Sequence, residues 1–258
     1  MSQKFKEFKK LHQSDVLFVL PNVWNAKSAV LFQEQGFPAV ATSSMAVANS
    51  IGYEDGEGMP FNDYLFIIKR ILSSVKIPLS VDMEMGYGVS DEQILTNIQK
   101  LTELGVAGIN IEDSSIVKSA RVLKDSGMFA KTIEKVKTML TAKGVNLFIN
   151  VRCDTYILNV KNKEQETLNR LKQYEATGAD GIFLPCISDE KDISEVVNNT
   201  KLPLNVMCVP GLPGFDRLVK LGVKRVSMGP FMFNKVYGNI AELSRNITRD
   251  NSFTAILQ

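Results

Sequence analysis

The sequence is poor in the residues on which many catalytic and redox mechanisms depend. It contains one histidine, His12, and three cysteines, Cys153, Cys186 and Cys208, in 258 residues. The odd number of cysteines and their spacings match no zinc-binding or redox motif, so we expect buried free thiols in a reducing compartment. His12 lies in the charged leader MSQKFKEFKKLHQSD. We therefore expect it on the surface, which argues against a histidine-driven mechanism.

Long apolar runs and an excess of one charge are also absent. No stretch of about 18 apolar residues occurs, so no membrane-spanning helix is expected. The N-terminal segment has no apolar signal core, and we expect a cytoplasmic protein. Lys and Arg number 30 and Asp and Glu 28, which gives a net charge of +2. This balance gives no reason to expect nucleic acid or an anionic membrane as a partner.

The sequence does contain a regular alternation of short apolar strands and helical segments. The strand candidates are almost continuously apolar, as expected of strands covered on both faces. They occupy residues 16–20, 39–43, 78–84, 106–113, 146–152, 181–185, 203–207 and 223–229. Eight strands alternating with helices over roughly 250 residues is the pattern of a (β/α)8 TIM barrel, an α/β fold. No linker interrupts residues 1–258, so we predict a single barrel domain.

The helix after the third predicted strand carries the clearest local signals. Ser90-Asp91-Glu92-Gln93 has the form of a capping box, and Gly105 is placed to end the helix. An open doubly wound sheet is the alternative fold. It is weakened because no GxGxxG loop follows the first predicted strand.

Acidic residues follow two neighbouring predicted strands. Asp82 and Glu84, in the stretch LSVDMEMGYG, are two residues apart and would point to the same side of the third strand. Glu112 ends the fourth strand and Arg152 the fifth, at the rim where barrel enzymes carry out their chemistry. Carboxylates gathered there repel one another unless a cation compensates them. Oxygen ligands without histidine or cysteine favour Mg²⁺, or Mn²⁺. Ordinary ion pairs with Arg152 or Lys118 are the alternative.

A run of small residues follows the second predicted strand, in the segment ATSSMAVANSIGYEDG. Ser43 and Ser44, at a transition from strand to loop, can offer hydroxyl and backbone N–H groups to an oxyanion. Asp55 lies further along, in a glycine-flanked loop. Taken alone, the run also fits an ordinary helix cap and turn.

These motifs, in this order, resemble the isocitrate lyase / phosphoenolpyruvate mutase superfamily over nearly the whole chain. The resemblance rests on PNVWNAKSA, ATSSMAVANSIGYEDG, VDMEMGYG, GVAGINIEDS, INVRCDT, GADGIFLP and LGVKRVSMGP. It implies a (β/α)8 barrel whose C-terminal helix, here residues 240–249, is swapped between subunits, and hence a homotetramer or homodimer. It also implies a small carboxylic acid as the substrate.

The resemblance implies a role for each matching residue. The Mg²⁺ shell, in part through water, would consist of Asp82, Glu84 and Glu112. The substrate's carboxylate and keto oxygens would be held by Ser43, Ser44, Met45, Asp82 and Arg152. Catalytic roles would fall to Asp55, Lys118 and Arg152. Residues 114–127 would form a mobile gating loop, from which Lys118 or Arg121 could meet a second anionic group.

The chain departs from the superfamily in the gating loop. Ala120 stands where the lyases carry a cysteine, no histidine follows it, and Pro185 replaces a histidine of the mutases and hydrolases. We therefore predict the shared half-reaction: Mg²⁺-dependent chemistry through a pyruvate-like enolate. Our first choice is a C–C lyase or decarboxylase acting on a small α-keto or α-hydroxy acid.

Three other functions remain open at this point. The first is C–P bond chemistry, by a phosphoenolpyruvate phosphonomutase or a phosphonopyruvate hydrolase. The second is a non-catalytic protein that binds α-keto acids. The third, a phosphate-binding barrel enzyme, is disfavoured because the prolines of VPGLPG (209–214) remove backbone N–H donors.

Overall fold

The structure, a computed structural model that describes residues 2–257, alternates strands and helices along the chain. The strands are β1 (Phe18–Leu20), β2 (Asn22–Val23), β3 (Val40–Thr42), β4 (Leu79–Asp82), β5 (Gly108–Glu112), β6 (Ser114–Val117), β7 (Ala120–Leu123), β8 (Phe148–Arg152), β9 (Gly181–Leu184), β10 (Leu204–Met207) and β11 (Arg225–Ser227). The helices are α1 (Gln3–Gln13), α2 (Ala26–Glu34), α3 (Ser44–Ser50), α4 (Phe61–Ser74), α5 (Asp91–Glu103), α6 (Ser126–Ala142), α7 (Lys163–Ala176), α8 (Glu190–Asn198), α9 (Phe215–Lys220), α10 (Phe231–Asp250) and α11 (Thr254–Leu257).

All strands except β6 and β7 form one parallel sheet that closes on itself. Their order is β1-β11-β10-β9-β8-β5-β4-β3-β2. β1 and β2 are two halves of one extended segment that is interrupted at Pro21, which has no N–H to donate. Because β1 pairs with β11 and β2 pairs with β3, the two ends of the sheet meet in this segment. The result is a (β/α)8 barrel, and all eight predicted strands lie in it, so the predicted fold class is confirmed.

Local sequence signals explain how the helices between the strands begin and end. Ser90 is the N-cap residue of α5, and its hydroxyl accepts a hydrogen bond from the N–H of Gln93 at 3.4 Å. The side chain of Gln93 accepts from Val89 rather than from Ser90, so only half of the predicted capping box forms. Gly105 follows the helix with φ +84°, a conformation that costs glycine little.

The N-terminal leader closes the amino end of the barrel, and our prediction that His12 lies on the surface is wrong. Helix α1 buries Phe5, Phe8 and His12. The His12 ring stacks on Phe148 with the ring centroids 4.1 Å apart. Its Nε2 lies 3.2 Å from Nη1 of Arg225, which is fully buried. A segment with many charges can still carry a buried apolar stripe at helical spacing, as Phe5, Phe8 and His12 do here.

The predicted gating loop contains a β-hairpin. β6 and β7 pair in antiparallel register from Ser114 opposite Leu123 to Val117 opposite Ala120. Lys118 and Ser119 form the two-residue turn, with φ values of 47° and 64°. Such turns usually carry Asn-Gly or Asp-Gly, so the sequence offered no hairpin signal here.

Helix α10 leaves the barrel with much of its apolar surface uncovered. Only Phe233 is buried, where its ring packs edge-on against Trp24 at 5.3 Å between centroids. Apolar side chains exposed along the helix include Val236, Ile240 and Leu243. The swap of residues 240–249 between subunits stays a prediction. In residues 2–257, none of the helices combines the length and apolar character needed to cross a membrane.

Candidate active site

A cavity of about 290 Å³ opens at the carboxyl ends of the barrel strands. Asp82 is the last residue of β4 and Arg152 is the last residue of β8, so the parallel sheet brings both to this rim. The cavity wall includes six residues predicted from the sequence: Ser43, Ser44, Met45, Asp55, Asp82 and Arg152. The other three predicted residues lie elsewhere: Lys118 at the exposed hairpin turn, and Glu84 and Glu112 buried behind the wall.

Asp82 is held in place by its neighbours on β3, α3 and α4. Its N–H donates to Oγ1 of Thr42 at 3.0 Å, and its carbonyl accepts from the Tyr64 hydroxyl at 3.0 Å. Its Oδ2 accepts from the Ser44 hydroxyl at 2.9 Å. Burial raises the pKa of the Asp82 carboxyl, while the nearby Arg152 guanidinium opposes that rise. The wall therefore presents an oriented carboxylate that favours a cation beside it.

Ser43 and Ser44 occupy the start of helix α3. Ser43 is the N-cap residue, and its hydroxyl accepts from the N–H of Ala46 at 3.3 Å. The ordinary helix cap, the alternative interpretation of this run, is therefore present. It does not exclude a binding role, because the cap and the cavity wall use the same residues.

Glu84 connects two loops at the rim. Its Oε1 accepts from the Tyr87 hydroxyl at 2.7 Å, and its Oε2 accepts from the N–H of Glu57 at 2.8 Å. Glu57 in turn accepts from the N–H of Tyr87 at 2.6 Å. Burial, and after it the charge of Asp55, raise the pKa of Glu84 to about 8. Glu84 thus fixes the loop after β4 against the loop that carries Asp55.

Glu112 belongs to a cluster of four charges beside the cavity. Arg121 Nη1 pairs with Oε1 of Glu112, and Arg152 Nη1 lies 2.8 Å from its Oε2. Arg152 also donates through Nε to Asp154 at 2.6 Å, and Arg121 Nη1 lies 3.5 Å from the same carboxylate. Two guanidiniums and two carboxylates balance one another, which makes burial of this cluster tolerable. Asp154 is not among the predicted site residues, although its position just after β8 indicates that it lies at the rim.

The residues of this rim fit a hard divalent cation. Asp55 adds a further negative charge near Asp82 and Glu84 and raises the pKa of both, although at Asp82 the opposite effect of Arg152 is larger. Oε2 of Glu112 is buried and accepts no geometrically sound hydrogen bond from residues 2–257. Over the same residues, no three His, Cys, Asp or Glu side chains are grouped closely enough to hold an ion alone. Mg²⁺ commonly takes only one or two protein carboxylates, with water and substrate completing its shell.

A family profile described as phosphoenolpyruvate phosphomutase matches residues 8–248. Together with the cavity at the carboxyl ends of the strands, this match identifies the protein as an enzyme of the lyase and mutase type. The chain belongs to this family, within the phosphoenolpyruvate mutase / isocitrate lyase superfamily. The resemblance inferred from the motifs is therefore confirmed.

Known relatives cover most of the chain. An uncharacterized protein of Mycobacterium tuberculosis is 36% identical over 222 residues, which is 86% of this chain and 81% of that protein. Oxaloacetate decarboxylase 1 of Pseudomonas fluorescens is 27% identical over 224 residues, which is 85% and 76% of the two chains. The crystal structure of a protein from Burkholderia cenocepacia, described as a phosphonomutase, superimposes on this chain with a TM-score of 0.87 at 31% sequence identity. The match covers 95% of this chain and 100% of that one.

Proposed function

We propose that the protein is a Mg²⁺-dependent lyase that breaks a C–C bond next to a pyruvate-like enolate. The substrate is a small α-keto or α-hydroxy acid, and decarboxylation is the first choice of reaction. One observation carries this proposal: Asp82, Ser44 and Arg152 line a single cavity at the carboxyl ends of the strands. The similarity to an oxaloacetate decarboxylase of Pseudomonas fluorescens supports it.

The proposed cation site uses the predicted carboxylates in two ways. Asp82, on the cavity wall, would hold Mg²⁺ directly, and Glu84 and Glu112 behind it would act through water. When bound, the ion supplies positive charge that stabilises an enolate oxygen. Mn²⁺ has similar ligand preferences and would serve in its place.

The chain's own residues would bind and shield the substrate. The Ser44 hydroxyl keeps Asp82 oriented, and Ser43, Ser44 and Met45 place the start of α3 at the substrate. At this helix start the N–H of Ser43 donates to Val23 and that of Ala46 to the Ser43 hydroxyl, so the N–H of Met45 would be the one to meet an oxyanion. Arg152, fixed between Glu112 and Asp154, provides a rigid positive charge. The hairpin β6–β7 would limit access of water to the enolate.

Binding of oxalate, a mimic of pyruvate enolate, tests the proposal. We expect calorimetry to show binding by the wild-type enzyme with Mg²⁺ and little binding without it. Asp82→Asn should weaken binding about ten-fold or more. Asp91→Asn is the matched control, because Asp91 pairs with Lys135 on the surface and does not line the cavity. Equal binding with and without Mg²⁺, or an unchanged affinity in Asp82→Asn, would contradict the proposal.

Turnover then distinguishes the candidate reactions. A panel of α-keto and α-hydroxy acids should give Mg²⁺-dependent release of CO₂ or another carbon fragment. Pro185 and Ala120, in place of the histidine and cysteine noted above, argue against C–P cleavage and standard isocitrate cleavage. Turnover of phosphonopyruvate without turnover of any carboxylic acid would favour C–P chemistry instead.

We also propose that the enzyme is a homo-oligomer in which α10 packs on a second copy. Its exposed apolar residues include Val236, Ile240 and Leu243, which recur at helical spacing on one side of the helix. A second copy of the chain would remove this surface from water, as the helix swap implied by the resemblance requires. A homodimer and a homotetramer both satisfy this arrangement.

A further inference from the structure

The barrel interior carries a layer of polar side chains one step deeper than the cavity. Residues two positions apart in a strand point to the same side, so the residues two before those that line the cavity also point into the barrel. On β8, β10 and β11 these deeper residues are Asn150, Asn205 and Arg225. Valine, isoleucine and leucine usually fill a barrel at this level, so a polar layer calls for a specific partner.

Arg225 brings a positive charge into this layer, and its hydrogen-bond partners are neutral. Its Nη1 lies 3.2 Å from Nε2 of His12, and its Nη2 donates to Oδ1 of Asn110 at 3.0 Å. Within residues 2–257, no carboxylate forms an ion pair with it. Burial lowers the pKa of Arg225 to about 9, although the charge of Asp82 opposes this, so the guanidinium remains charged at neutral pH. A buried charge without a counter-ion is costly.

Unpaired polar atoms are concentrated in the same layer. In residues 2–257, five buried side-chain atoms have no hydrogen-bond partner, and four of them belong to this layer. They are Nε of Arg225, both amide atoms of Asn205 and Oδ1 of Asn150. Folded proteins leave few such atoms unpaired, so four in one layer indicate a bound partner.

The arrangement of these atoms favours a partner that accepts hydrogen bonds. Asn205 lies opposite Arg225 in the register of β10 and β11. Because neither of its amide atoms is paired, Asn205 can turn its N–H2 group toward Arg225. Asn150 donates to Asn110 at 2.8 Å, and its Oδ1 lies 2.7 Å from where a Cβ of Gly181 would stand, so this oxygen is directed at β9. Arg225 and Asn205 thus supply the two free donors.

We propose that this layer is a binding site for a halide ion, chloride in the first place, held by Nε of Arg225 and the N–H2 group of Asn205. One monovalent anion balances the single charge of the guanidinium and accepts a hydrogen bond from each donor. Phosphate and sulfate fit poorly, because their further oxygens would be buried without donors. The site is separate from the cavity, whose wall includes neither residue, and it does not depend on the proposed reaction.

Thermal unfolding of the full-length enzyme in two sodium salts at equal ionic strength tests the site. Chloride should raise the Tm relative to methanesulfonate, which is monovalent but too large for a packed barrel layer. The rise should follow a single-site dependence on the chloride concentration and reach roughly 5–10 °C at about 100 times the dissociation constant. Equal Tm values in the two salts at every concentration would overturn the assignment.

Asn205→Asp distinguishes the site from a general salt effect. The new carboxylate has nearly the shape of the amide, lies beside Arg225 and should take the place of the ion. Chloride should then raise the Tm by no more than about 2 °C. Asn198→Asp is the control, because it makes the same change at the exposed end of α8 and should keep the wild-type response. A full chloride response in Asn205→Asp would contradict the proposal.

Wild-type crystals soaked in sodium bromide give a second measurement that requires no variant. We expect an anomalous peak between Nε of Arg225 and the side-chain amide of Asn205. Bromide bound only at other places would show adventitious ions only, and would overturn the assignment.

Discussion

At the residue scale, His12 shows how burial decides the chemistry of a side chain. Its ring lies among Phe8, Phe18 and Phe148, and its Nδ1 lies 2.8 Å from the carbonyl oxygen of Phe8. Burial, and after it the charge of Arg225, lower the pKa of His12 to about 3. The imidazole is therefore neutral in the folded protein at pH values where an exposed histidine would be charged.

This lowered pKa predicts a loss of stability in mild acid. The unfolded chain takes up a proton at His12 near pH 6.5, whereas the folded protein does so only near pH 3. The contribution of His12 to stability is thus complete above pH 6.5 and declines as the pH falls toward 3. Between pH 6.5 and 5 we expect a loss of about 2 kcal/mol in the free energy of unfolding.

Urea unfolding of wild-type protein and His12→Gln checks this expectation. Glutamine can accept a hydrogen bond from Arg225 but does not titrate, and all other groups are shared by the two proteins. The stability of wild-type protein should therefore fall more steeply between pH 6.5 and 5. Parallel pH dependences would show that His12 is not the group responsible.

At the element scale, the hairpin β6–β7 packs on the loop that carries Asp55. Gly56, next to Asp55, has φ +86°, and a Cβ at this position would overlap Cδ1 of Ile116 on β6. The absence of a side chain at Gly56 therefore lets the hairpin approach the rim closely. Ile116 remains 41% exposed, so this contact between the hairpin and the loop lies at the surface and not in the core.

Gly56→Ala should loosen the hairpin and expose it to protease. Gly52→Ala is the control, because Gly52 has the same φ of +86° in the same loop but no heavy atom within 4 Å of the added Cβ. Both variants bear the backbone cost of about 1 kcal/mol. Only Gly56→Ala also forces Cδ1 of Ile116 to move aside, so limited proteolysis within residues 114–123 should be modestly faster in it than in Gly52→Ala.

The double variant Gly56→Ala/Ile116→Ala separates the collision from the backbone strain. Removal of the Ile116 side chain beyond Cβ eliminates the overlapping atom. Proteolysis of the double variant should return toward the Gly52→Ala rate if the overlap is the cause. Equal proteolysis rates of the two single variants would mean that glycine is needed at position 56 only for its backbone conformation.

At the scale of the whole molecule, the exposed side of α10 predicts self-association. Ile240 is 51% exposed, and Val236 and Leu243 lie on the same side of the helix. Ile240→Glu should shift the mass measured by light scattering toward the monomer, since an unpaired charge in an apolar interface costs several kcal/mol. Asn234→Glu adds the same charge on the opposite, exposed side and should leave the mass unchanged. A wild-type monomer would contradict the prediction.

The barrel and most of its rim follow from the order of residues along the chain. Alternation of apolar strands with helices requires a parallel sheet covered on both faces, and residues that follow such strands must meet at one end. For this reason the sequence alone places Ser43, Asp82 and Arg152 at one site. These assignments depend only on order along the chain and on the periodicity of a strand.

Which side chains reach the cavity, and which form hydrogen bonds and ion pairs elsewhere, depends on contacts between distant parts of the chain. Glu84 and Glu112 follow their strands as predicted, yet hydrogen bonds and ion pairs hold them behind the wall. Arg121 reaches the cavity because a hairpin turn at Lys118 folds β7 back over the rim. The apolar stripe of α1 is visible in the sequence, but its packing of His12 on Phe148, far away in the chain, is not. Such pairings arise between distant segments, so no local pattern of residues specifies them.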